Sequence, residues 1–210
     1  MQRSNFHITI SKEELSKLPL ADYHAGAQVI DSESDMEDAI AHLSASRIIG
    51  FDTETRPSFR KGQSYSVSLL QLASPERCFL FRLNILGLHP KLVQLIEDPS
   101  LLKVGVSLRD DFTSLSRIGE LNPQGFIDLQ KYVKKFSIED NSLARIYAIL
   151  FGHRISKNQR LTNWEAETLT PAQINYAAFD AVACIHIYDH ISAGNFHPEE
   201  SLYLHPVENV

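Results

Sequence analysis

The apolar and polar positions change rhythm near residue 47. Before it the pattern is mixed, and two helix starts stand out: Ser11 with Glu14 three places on, and Ser34 with Glu37 three places on, each the arrangement of a capping box. Between them Ala27–Ile30 reads as an edge strand. From 47 onward, apolar runs at 47–51, 65–73 and 78–83 have the length and the β-branched or aromatic content of strands, and their short links predict an antiparallel start. Helical spacing then alternates with short apolar runs: a helix near 89–96, a strand at 102–106, a helix from 109 and a strand at 126–129. Helices at 142–151 and 171–190 complete the pattern, the second opened by Thr170 as N-cap and Pro171 in its first position. The alternation predicts an α/β domain whose mixed sheet is antiparallel over its first three strands, parallel after them, and flanked by helices.

A chain of 210 residues with 43% hydrophobic content supports one sizeable core and is short for two. The expected division is an N-terminal extension packing on the domain at 1–46, the domain itself at 47–193, and a polar tail at 194–210. The tail's composition fits packing back, pairing with another subunit or disorder equally well, and the sequence sets no oligomeric state. Acidic residues outnumber basic ones 26 to 20, the opposite of a general nucleic-acid coater. A polyanionic partner must then be met by a local group of cations or by metal. Cys78 and Cys184 form no C-x-x-C pair, which excludes a disulfide framework and a zinc knuckle and points to a reducing, intracellular setting, taken as cytoplasmic. No apolar run reaches the roughly 18 residues of a membrane span, and no signal peptide is expected.

The candidate chemistry lies in acids that interrupt apolar stretches. Asp52 and Glu54 stand two apart at the end of the first buried strand and so share one face. Alone, this pair is better explained by a strand end meeting solvent. In the helix that follows 109, about 100° per residue puts Leu108, Asp111, Leu115 and Ile118 on one stripe, while Asp110 aligns with Ser114 and Arg117. Asp111 is therefore the inward acid, although the helix N-terminus would favour either one through its dipole. On the long helix Tyr176 and Asp180 are four apart, so phenol and carboxylate stack on a face that Ala183, Cys184 and Ile187 continue. Several acids pointing inward from different elements suit hard divalent cations, which take oxygen ligands and serve in-line phosphoryl displacement.

Taken together, Phe51-Asp52-Thr53-Glu54, the segment 104–111 and Tyr176-Ala177-Ala178-Phe179-Asp180 resemble the three exonuclease motifs of the DEDD superfamily in order and spacing. Tyr176 corresponds to the mark of its tyrosine subgroup. The resemblance is to ribonuclease D and Werner-type exonuclease domains and spans 47–190; the stretches 161–164 and 169–173 are similar to what precedes the third motif there. It implies a ribonuclease H-like fold and two divalent cations, Mg2+ or Mn2+. By the same likeness Asp52 bridges both cations, Glu54 and Asp180 complete one site, and Asp111 supports the other, partly through water. Tyr176 would orient the attacking water; a phenol with an ordinary pKa of about 10 positions more than it deprotonates. The implied activity is 3'-5' exonucleolytic hydrolysis of single-stranded RNA or DNA, releasing nucleoside 5'-monophosphates. Relatives of the ribonuclease D type can carry helical RNA-binding domains after the catalytic one. This sequence stops short of any, so tight independent binding of long RNA is not expected.

Near the acids, Arg56, Arg60, Lys61, Lys157 and Arg160 are candidate phosphate contacts, and Trp164 is a candidate stacking surface or a core residue. The competing reading is a non-catalytic nucleic-acid-binding or scaffold module on the same fold. Such modules normally lack a metal ligand, and here none is missing. His186 and His190 have zinc-like spacing, but no Glu follows His186 as an H-E-x-x-H site requires, and no phosphate-binding glycine loop or nucleophile elbow occurs.

Overall fold

The structure is a computed structural model, and it describes residues 5–21 and 26–207. Strand β1 (Phe6–Ile8) leads into helix α1 (Lys12–Lys17), where the expected capping box forms: Ser11 accepts from the Glu14 backbone N–H while Glu14 accepts from that of Ser11. Strand β2 (Ala27–Ile30) precedes α2 (Glu33–Ser44), which starts two residues earlier than Ser34 suggests. Its N-cap is Ser32, whose hydroxyl accepts from the Asp35 backbone N–H, so Ser34 lies inside the first turn.

Then come β3 (Ile48–Thr55), β4 (Val67–Ala73), β5 (Cys78–Arg82), α3 (Leu83–Leu86), α4 (Pro90–Glu97), β6 (Leu102–Gly105), α5 (Leu108–Leu115) and β7 (Phe126–Asp128). The chain continues through α6 (Leu129–Tyr132), α7 (Leu143–Phe151), α8 (Pro171–Ser192) and β8 (Leu204–Pro206). Six strands form one sheet in the order β2-β5-β4-β3-β6-β7. The meander β3-β4-β5 is antiparallel, and β6 and β7 add in parallel beside β3 as the sequence predicts. Ala27–Ile30 is an edge strand, parallel to β5.

The sheet divides the core into two layers. Against one face lie α8 and α7 with Leu69, Ala73, Leu80, Ala177, Ala181 and Ile185; against the other lie α2, α4 and α5 with Phe51, Leu70, Leu72, Phe79 and Leu92. Burial on both faces explains why β4 and β5, apart from Ser68, Gln71 and Arg82, read as apolar runs rather than alternating ones. Helix α8 is apolar nearly all round because it is buried along most of its length, from Ala177 to Ile185 without a break. Its start is fixed by Thr170 and Gln173 in a second capping box.

Segments flanking the sheet are tied down at both ends. Strands β1 and β8 pair antiparallel, so the C-terminal segment packs back onto the N-terminal one. The buried carboxylate of Asp140 accepts from the Thr9 hydroxyl, the Ile10 backbone N–H and Arg145, joining the N-terminal segment to α7. Among the described residues no helix is long and apolar enough to cross a membrane.

Candidate metal centre

Strand β3 runs on to Thr55, so Asp52 and Glu54 sit within it, in register with Gln71 and Leu69 of β4, rather than at its frayed end. Side chains two apart on a strand share a face, and here that face is covered by α8. Close approach of this helix depends on Gly50, two residues before Asp52 on the same face, because α8 backbone occupies the space where a Cβ would stand. The contact sets Asp180 of α8 over Asp52. Carboxylate oxygens of Asp52, Glu54 and Asp180 lie within 4.8 Å of one another.

Asp111 stands beside this group. Ser107, at φ 63°, turns the chain sharply from β6 into α5 and is held by a bond from Gln130 to its hydroxyl. The turn brings Asp111 onto the buried stripe with Leu108 and Leu115, while Asp110 faces solvent, as the helical spacing predicts. The Thr53 hydroxyl donates to the Asp111 carboxylate. Thr53 thus links the fourth acid to the strand that carries the first two.

The electrostatics follow from burial and crowding. Burial, and then Asp180, pushes Asp52 well above the ordinary carboxylate range. Burial and then Asp52, Asp180 and Asp111 push Glu54 up to about 9. Asp111 is raised by burial and then by Asp52. Asp180 is raised by burial, against the opposing pull of the Tyr176 phenol and of Lys157. Four acids held together at this cost are a site built for compensating positive charge. The donor set is all oxygen, which fits a hard divalent cation and does not fit a soft one.

Tyr176 is half-buried one helical turn before Asp180, within hydrogen-bonding range of its carboxylate. Burial first, and then Asp180, raises its pKa further, so the phenol keeps its proton throughout the neutral range.

Of the candidate substrate contacts, Lys157 and Arg160 are exposed and lie within electrostatic reach of Asp180 and Glu54 respectively. The loop that carries them is tied to α8 through Gln173, which donates to the Thr162 hydroxyl and the Asn163 carbonyl. Arg56 pairs with Glu165 at 3.1 Å and stacks 4.6 Å over the Tyr65 ring, so it is engaged rather than free. It lines a cleft of about 400 Å3 with Phe59, Arg60, Tyr65 and Leu161. Phe59 and Leu161 are 80% and 58% exposed, an apolar rim to the cleft that the sequence did not mark.

Trp164 lies in the core. It is fully buried, with its ring 6.0 Å from that of Tyr176. The sequence left core and stacking surface open; no face of the indole is exposed for a base, so Trp164 buttresses Tyr176 instead. The segment after it is pinned by buried Arg82, which donates to the Ala166 and Glu167 carbonyls. Sequence reasoning also missed Gln71, which is fully buried directly across the ladder from Asp52. A long polar side chain in the otherwise largely apolar run Val67–Ala73, where the only other polar residue is the small Ser68, was the available signal.

A family model described as 3'-5' exonuclease matches residues 27–193. Exonuclease 3'-5' domain-containing protein 2 of Drosophila melanogaster is 34% identical over 151 residues, which cover 70% of this chain and 26% of that protein. The bifunctional 3'-5' exonuclease/ATP-dependent helicase WRN of Mus musculus is 32% identical over 158 residues, 72% of this chain and 11% of that protein. This chain therefore spans only a minor part of these two relatives. In the crystal structure of Trypanosoma brucei RNase D in complex with RNA U12, the likeness has a TM-score of 0.68 at 21% identity, covering 84% of this chain and 63% of that one. The shared architecture is the ribonuclease H-like sheet expected from the sequence.

Proposed function

We propose, for a chain that belongs to the 3'-5' exonuclease family, that it removes nucleotides one at a time from the 3' end of single-stranded RNA or DNA and releases nucleoside 5'-monophosphates. The observation that carries this reading is the convergence of Asp52, Glu54 and Asp180 within 4.8 Å, with Asp111 beside them. That no acid of the set is missing supports catalysis over a scaffold role.

In this reading Asp52, Glu54 and Asp180 hold one divalent cation, and Asp52 with Asp111 holds a second. The cations, Mg2+ or Mn2+, supply charge neutralisation and activation of a water nucleophile when bound. The remaining work falls to the chain's own groups. Tyr176 holds its proton at Oη and orients the attacking water from above Asp180. Thr53 keeps the Asp111 carboxylate from turning away. Lys157 and Arg160 meet phosphates, which suits a net acidic chain whose binding must rely on a few local cations. Phe59 and Leu161, exposed residues that line the same cleft as Arg56 and Arg60, offer apolar surface to the terminal base.

The division expected from the sequence, with the exonuclease domain at 47–193, belongs to this proposal, with the qualification that β2 joins the same sheet and the family match begins at residue 27. The buried, free state of Cys78 and Cys184 supports the intracellular setting. The RNA complex of Trypanosoma brucei RNase D supports RNA as one substrate class. The test is a comparison of single-stranded oligonucleotides ending in a 3'-hydroxyl with the same sequences blocked at the 3' end, with product identification by chromatography. Nucleoside 5'-monophosphates from the free end alone are expected; internal cleavage of the blocked strand would contradict the reading.

A further inference from the structure

Gln71 lies in the middle of β4 and is fully buried, yet neither its Nε2 nor its Oε1 has a hydrogen-bond partner among the described residues. A buried amide left unpaired is costly, and an apolar side chain of the same length would fill the position without that cost. Its surroundings explain where the amide can be satisfied. On the β5 side Gln71 faces Leu80, and along its own strand its face continues through Leu69 and Ala73, all apolar. On the β3 side it stands directly opposite Asp52, with Glu54, opposite Leu69, on the diagonal. Directly opposed residues of an antiparallel pair share a face with Cβ atoms about 5 Å apart, and the diagonal position is within reach of a long side chain. From β3 the ladder thus brings only carboxylates of the metal centre to Gln71; on the β5 diagonals stand the Cys78 thiol and Arg82, whose guanidinium is already engaged with the Asn84 side chain and the Ala166 and Glu167 carbonyls.

We infer that Gln71 is a positioning residue for the metal centre: its Nε2–H donates to the Asp52 carboxylate when the site is loaded, fixing the rotation in which that carboxylate meets the cations. This rests on the reading of the acids as metal ligands. A neutral amide suits the task, because it orients the carboxylate without adding a positive charge that would compete with the cation. Residues that hold metal ligands in this way commonly contribute 10–100-fold to affinity.

The test needs no nuclease activity. Mn2+ is titrated calorimetrically into the full wild-type chain, Gln71→Met and Gln71→Asn, and each is melted in chelator. Gln71→Met is expected to melt in chelator at or above the wild-type temperature, because the unpaired amide is gone, and to bind Mn2+ about 10-fold or more weakly. Gln71→Asn keeps the amide but is one methylene too short to reach across, so it shows a comparable loss of affinity even if its melting temperature falls. Equal Mn2+ affinity in the wild type and both variants overturns the inference and leaves the metal-centre reading intact. Failure of the wild type to take up Mn2+ overturns that reading, and the inference with it.

Discussion

Gly50 and Ala181 bring strand and helix backbone into direct contact, for a Cβ on Gly50 would stand 1.9 Å from the Ala181 carbonyl oxygen. This approach, one residue beyond Asp180 and two before Asp52, sets the separation between the two elements that carry the acids. Gly50→Ala is therefore expected to force α8 away from β3. Overpacking of this kind costs about 1–3 kcal/mol, and the pairing of Asp180 with Asp52 would be lost with it. Denaturant melts and Mn2+ titration check both; an unchanged Mn2+ affinity would show that the helix position does not set the site.

Asp180→Asn separates stability from function. Removing one of three crowded, buried charges relieves repulsion, so the variant is expected to melt higher than the wild type in chelator. The same change removes a cation ligand, and Mn2+ affinity is expected to fall by on the order of 100-fold, at least the cost of losing a supporting residue. A melting temperature below that of the wild type in chelator would mean that Asp180 is a stabilising core group.

The pH dependence has a definite sign. Glu54 has its folded-state pKa raised from 4.5 to about 9, so in that window the folded state binds more protons than the unfolded one. Its contribution is fully present below 4.5 and is lost as pH rises towards 9, so metal-free stability is expected to fall from pH 6.5 to pH 8. Lys103 is buried with its ammonium on the Leu95 and Asp98 carbonyls; burial pushes it down to about 8, and it acts in the opposite direction only above that value. Melting curves in chelator from pH 6.5 to pH 8 isolate the carboxylates, because His186 and His190, which burial holds below the ordinary imidazole range, act in the opposite direction only below 6.5. Saturating Mg2+ should flatten the slope, and a metal-free slope already flat would contradict the crowding of these acids.

Much of this site was legible in the sequence because its geometry is periodic. Asp52 and Glu54 two apart on a strand, Asp111 on an apolar helical stripe and Tyr176 one turn before Asp180 all follow from spacing, and each lies on the expected face. What depends on partners distant in sequence was not legible. The engagement of Arg56 with Glu165 spans a separation of 109 residues, and Thr53 reaches Asp111 across 58. Trp164 illustrates the same limit. Only the packed structure buries it behind Tyr176 and rules out stacking on a base.

Tyr176→Phe keeps the ring against Trp164 and removes the proton held near Asp180. The expected result is a drop in kcat of about 10²-fold, the lower end of what a positioned proton donor contributes, with KM and Mn2+ affinity little changed. A rise in KM at constant kcat would make the phenol a substrate-binding group instead.

Lys157 and Arg56 should behave differently although both are basic and near the site. Lys157→Ala is expected to weaken single-strand binding and to reduce the slope of log affinity against log salt by about 0.7, the value for one phosphate contact on a single strand. Arg56→Ala, which breaks the pair with Glu165, should lower stability and leave the salt slope unchanged. Equal slopes for wild type and Lys157→Ala would remove Lys157 from the substrate path.

The most direct measurement is a time course on 5'-labelled single-stranded RNA and DNA of identical sequence, with Mg2+, Mn2+ or chelator, for wild type and Asp52→Ala. The expected result is a ladder shortening from the 3' end only when metal is present and only in the wild type, with the faster strand revealing the preferred sugar. Intact substrate in every lane of a chain that binds Mn2+, or trimming that survives Asp52→Ala, would contradict the assignment of these carboxylates as the catalytic centre.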